Sequence, residues 1–112
     1  MKRLVLVAAV VAVAAAFSLP AFAQDAKIAQ GEKVYTTEKC SMCHAIAGKG
    51  NKKFPLDGVG TKLTADQIKE WIVDPVKAAE TAKSTGTPKM KAYKLSKDDL
   101  DALVAYMQSL KK

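Results

Sequence analysis

The sequence predicts an all-α domain of about four short helices joined by long loops. Three observations carry this. Apolar residues recur at helical spacing in several stretches, each opened by a capping residue. No run alternates β-branched and polar residues as a half-buried strand does. The stretches between the helical ones are rich in Gly, Pro and Lys and carry no period.

The chain of 112 residues begins with what reads as a secretory signal peptide, residues 1–23. Lys2 and Arg3 supply the charged start, Leu4 to Phe17 is an unbroken apolar run, and Ala21-Phe22-Ala23 is a small-x-small cleavage site. The run is 14 residues long, short of the ~20 that a spanning helix needs, and Pro20 also favours cleavage over anchoring. The expected mature chain is residues 24–112, one small domain in the periplasm, with no transmembrane segment. Without Lys2 and Arg3 it holds 16 cations and 11 acids, a net charge of +5. An exported chain left with no arginine fits nucleic acid poorly and an acidic protein partner better.

Asp25 to Thr37 is predicted to be the first helix, with Ile28, Val34 and Tyr35 facing inward. Gly31 is unfavourable inside it unless another helix crosses closely. Residues 48–53 form a loop, and Phe54 to Lys62, with one Pro and two Gly, reads as an extended surface connection. Thr64 and Gln67 form a capping box ahead of Ile68, Trp71 and Ile72. Asp74-Pro75 is an N-cap followed by proline at the first helical position, opening a short helix through Lys83. Ser84 to Leu95 is a loop. Ser96 caps the last helix, with Asp99 completing the box and Leu100, Leu103, Val104, Met107 and Leu110 forming one stripe.

Between the first helix and the first loop stands Cys40-Ser41-Met42-Cys43-His44, the C-x-x-C-H attachment signature of a c-type haem. Two thiols at this spacing can add across the two vinyl groups of the porphyrin as thioethers. The next residue brings an imidazole beneath the iron. His44 is the only histidine in the chain. A redox dithiol wants a βαβ context. Structural zinc wants four protein ligands. A disulfide across so short a loop gains little and strains the geometry.

An iron held by His44 needs a ligand on its other face, and no second histidine exists. Met1 belongs to the signal peptide, Met42 lies inside the attachment motif, and Met107 falls on the apolar stripe of the last helix. Met90, in a loop 46 residues after His44, is the candidate distal ligand. The alternative is an open or water-bound distal site.

At these residues the chain resembles the class I cytochromes c of the small bacterial monohaem kind. The resemblance runs through Gly31 and Tyr35, the motif at 40–44, Pro55, Trp71-Ile72 with Asp74-Pro75, Lys89-Met90 with Ala92-Tyr93, and the terminal LDALVAYMQSL. It implies the class I fold around one covalent haem c and its iron. It also implies that Gly31 lets the first and last helices cross, with Tyr106 packed against it. Pro55 would offer its backbone carbonyl to the second nitrogen of His44. Trp71 would line the haem crevice, or serve as an ordinary core aromatic. The family often has proline after the ligand methionine, and here Lys91 follows, with Pro88 on the other side.

The function expected is single-electron transfer between redox proteins by a monomeric, non-enzymatic carrier, with an acidic docking face on the partner. The alternatives are a haem-based gas-binding or sensing module with an open distal site, and a haem subunit of a larger oxidoreductase.

Overall fold

The computed structural model describes residues 21–112. Most of the expected signal peptide lies outside the described residues. Helix α1 runs through residues 21–37, so the expected start at Asp25 falls inside it. A 3-10 turn at Cys40–Met42 leads into three short strands, β1 (His44–Ile46), β2 (Lys49–Gly50) and β3 (Phe54–Pro55). Four helices follow: α2 (Val59–Lys62), α3 (Ala65–Val73), α4 (Pro75–Ala82) and α5 (Lys97–Ser109). Among the described residues no helix is long and apolar enough to cross a membrane.

The caps on α3 and α4 form as their residues dictate. Thr64 Oγ1 accepts from the Gln67 amide at 3.2 Å, and Gln67 Oε1 in turn accepts from the Thr64 amide at 2.9 Å. Asp74 accepts from the Lys77 amide at 3.3 Å, with Pro75 at the first helical position. At α5 only half of the expected box is present. Ser96 Oγ accepts from the Asp99 amide at 3.1 Å, but the Asp99 carboxylate turns away to accept from Gln30 Nε2 at 3.0 Å. A cap partner is thereby spent on joining α1 to α5.

These two helices cross at Gly31. A Cβ there would run into the carbonyl of Ala102 and stand 2.7 Å from Tyr106 Cβ. Only glycine admits this approach. The rings of Tyr35 and Tyr106 meet edge to face nearby, centroids 5.9 Å apart. Val34, Tyr35, Ile68, Ile72, Leu103, Val104 and Met107 form one buried cluster drawn from α1, α3 and α5. Ile28, Leu100 and Leu110 are half-buried.

Two features depart from the expectation for residues 44–62. The strands form a three-stranded sheet in the order β2-β1-β3, with β1 antiparallel to β2 and parallel to β3. They are two or three residues long, too short to show any alternation. Residues 59–62, expected to be extended, form the single turn α2. Gly58 at φ +78° opens it, and Gly60 lets it dock on α5, its amide donating to the Leu110 carbonyl at 3.0 Å.

Candidate functional site

A cavity of about 990 Å³ is cut into one side of this core, at the upper end of the roughly 300–1,000 Å³ usual for ligand sites. Leu56, Val59, Leu63, Ile68, Ile72 and Leu103 make its apolar wall. Cys40, Cys43 and His44 line one part of it, and Pro88 to Lys91, including Met90, another. Trp71 and Met107 also face it. Residues 46 positions apart in the chain are thus brought to one chamber.

Local structure explains how His44 is held. It stands at the start of β1, opposite Phe54 in the parallel register with β3. Its Nδ1 lies 3.0 Å from the Phe54 carbonyl. A carbonyl can only accept, so Nδ1 carries the hydrogen and the Nε2 lone pair is left for a metal. The residue named from the resemblance, Pro55, is off by one. Its register partner is Ala45, it is exposed, and it does not line the cavity. A strand register one residue from that assumed accounts for the difference. Trp71, by contrast, is half-buried and faces the chamber.

The cysteines are both free thiols, Cys40 half-buried and Cys43 exposed at the rim. Burial, and next the charge of Glu38, push the Cys40 thiol up to about 11. The sheet beside them has a parallel pair but no crossover helix, since β2 and short turns connect β1 to β3. The βαβ setting of a redox dithiol is not formed.

The chamber fits a haem on its own chemistry. Its wall is apolar, as a macrocycle requires. Two thiols at attachment spacing, an oriented imidazole and a thioether lie around it. Tyr35 also faces it, and its hydroxyl is a buried side-chain polar atom without a hydrogen-bond partner among the described residues. Burial pushes that phenol up to about 12. A buried hydroxyl at a cavity wall is where a bound group or an ordered water supplies a partner.

The sequence model of the family described as "Cytochrome c" matches residues 28–111. The chain belongs to the cytochrome c family. Membership implies haem as cofactor. Among curated proteins the chain is similar to a cytochrome c oxidase subunit 2 of Alkalihalophilus pseudofirmus, 29% identical over 91 residues. That match covers 73% of this chain and 25% of the relative, so the chain spans about a quarter of the length of the protein it matches. No solved structure matches it.

Sequence reasoning missed two residues of this site. Phe54 acts through its backbone, which its side-chain type does not advertise. Asn51 does not line the chamber but bonds the turn that carries its ligands, its amide donating to the carbonyls of Ser41 and His44; it sits in a stretch legible only as a loop, although Asn side chains often bond nearby backbone.

Proposed function

We propose that residues 24–112 are an exported electron carrier with one covalent haem c, preceded by a signal peptide at 1–23 that directs it to the periplasm. Cys40 and Cys43 hold the haem by thioethers. His44 ligates the iron through Nε2 while the Phe54 carbonyl fixes its ring. Met90 would supply the second protein ligand. The bound haem supplies one-electron iron chemistry, and a neutral thioether ligand favours the ferrous state relative to a second imidazole. With His44 and Met90 both given to the iron, no ligand position would be left for a substrate, and the chain would be a carrier rather than an enzyme. The observation that carries this reading is that His44 and Met90 line one apolar chamber, with the two thiols of the attachment motif at its edge.

The apolar wall excludes water from the ligands, and the exposed rim at Cys43 and Met42 leaves one edge near solvent for exchange with a partner. Four lysines at the mouth, Lys39, Lys83, Lys89 and Lys91, stand against two acids, Glu38 and Glu80. This balance suits a partner with an acidic docking face. A second reading has one observation behind it, the likeness to an oxidase subunit: a haem domain that passes electrons into a larger oxidoreductase with which it stays associated.

Expression in a periplasm with haem-maturation machinery tests the proposal. The expected product is red, keeps its haem through denaturing electrophoresis, and shows the weak long-wavelength band of ferric iron bound to thioether sulfur. Cys40→Ala with Cys43→Ala abolishes retention. Haem lost to acid–acetone, or a preparation that takes up no haem, overturns it. Co-purification with native partners separates the free carrier from the bound subunit.

A further inference from the structure

The segment after β2 does more than close a loop. The Asn51 amide donates to the carbonyls of both Ser41 and His44, each at 3.0 Å. Its Nδ2 donates to the Met42 carbonyl at 3.1 Å. Its Oδ1 accepts from the Lys53 amide at 3.0 Å. One residue therefore gathers three carbonyls of the turn that carries both cysteines and the histidine. The other end of the same planar amide holds the residue next to Phe54, whose carbonyl orients His44.

The approach that permits this is tight. Gly50 stands at φ +107°, and a Cβ there would collide with the His44 carbonyl and lie 3.1 Å from that of Ser41. Glycine at 50 brings the backbone in, and Asn51 then reaches across the turn.

We propose that Asn51 is a positioning residue for the haem ligand: its side-chain amide ties the Cys40–His44 turn to the strand whose carbonyl fixes the His44 ring. The amide is suited because it donates at one end and accepts at the other. The bond from Lys53 is a local Asx turn of a kind common in loops. The bond to Met42, nine residues away, is not local, and it distinguishes positioning from loop formation. The role rests on the haem reading, since it acts through His44 as ligand.

The test compares wild type, N51D and N51A as haem-loaded proteins, with Lys52→Ala as control. N51D keeps the acceptor for Lys53 but loses the donor to Met42. The readouts are the paramagnetically shifted haem-methyl resonances of the ferric protein, which follow the His44 ring plane, and the midpoint potential. With the tie cut, the hydrogen bond to Phe54 loosens and His44 becomes a less basic ligand. Both variants are then expected to move the methyl resonances, and N51A, which adds no charge, to raise the potential, while Lys52→Ala keeps the wild-type methyl resonances. N51D carries the comparison if N51A does not fold, because it has the shape of the native residue. Methyl resonances in N51D equal to wild type, or an unchanged or lowered potential in N51A, overturn the role of Asn51 and leave the haem reading standing. A wild-type chain that takes no haem removes both.

Discussion

Met90 and Met107 both line the chamber, but they are held differently. Met107 is 6% exposed on α5, inside the buried cluster. Met90 is half-buried on an irregular segment between α4 and α5, where nothing regular fixes it. Helical packing accounts for the first, and the proposed bond to iron would give the second its reason. Met90→Ala is expected to turn the ferric iron high-spin or water-bound, lower the potential, and let cyanide or carbon monoxide bind readily. Met107→Ala is expected to cost about 2–5 kcal/mol, as buried methionine truncations do, and to leave the visible spectrum intact. Optical spectra and denaturant titrations of the two variants check this, and the reverse pattern would assign the distal ligand to Met107. The other residues of the site divide by how their chemistry is expressed. Cys40, Cys43, His44 and Met90, the proposed haem-holding residues, would act through side chains of rare type, and the sequence singles them out. Phe54 acts through a carbonyl chosen by strand register, and no residue type reports register.

The elements divide in the same way. Helices α3 and α4 were legible because their starts are written in side chains: a Thr–Gln box and an Asp–Pro pair. Helix α5 was legible from its stripe, although Asp99 serves Gln30 instead of its own cap. The three strands and α2 were not, since two to four residues are too few for a period. They are made by glycines in left-handed or crowded positions, Gly48, Gly50, Gly58 and Gly60, and by contacts with distant residues. The α1–α5 crossing is the element contact with the clearest single test. Gly31→Ala places a methyl against the Ala102 backbone, which belongs to a helix and cannot yield as a flexible side chain does. The substitution improves helix propensity by about 0.5–1 kcal/mol and so favours α1 locally. Overpacking of about 1–3 kcal/mol opposes it, and a net loss of stability is expected in urea titration. A Gly31→Ala protein as stable as wild type would mean that the two helices do not cross this closely in solution.

At the scale of the whole molecule the charges are sorted. Residues 39–56 and 81–97 hold nine lysines and no acid, whereas the rest of residues 24–112 holds seven lysines and all eleven acids. The first segment carries His44 and the second Met90, so both border the chamber. The structure refines the pattern. Glu38 and Glu80, each one residue outside a lysine segment, also reach the mouth, which holds four lysines against these two acids. The field there is positive but moderate. Lys91 is further fixed, its Nζ 5.1 Å from the centre of the Tyr93 ring. Lys69 borders a different groove, beside Asp66 and Asp101, and Lys111 lies in the last residues of the chain. A positive mouth steers an acidic partner and speeds encounter more than it strengthens the docked state. Salt screens such steering over about 10 Å at 0.1 M ionic strength. The second-order rate of electron transfer with an acidic redox partner is therefore expected to fall steeply as salt rises. Charge reversal at Lys83, Lys89 or Lys91 is expected to slow it more than reversal at Lys69 or Lys111, with the gap closing at high salt. Stopped-flow measurements across an ionic-strength series read both effects. A rate indifferent to salt, or equally sensitive to all five lysines, would show that net charge alone acts and that the chamber mouth is not where the partner docks.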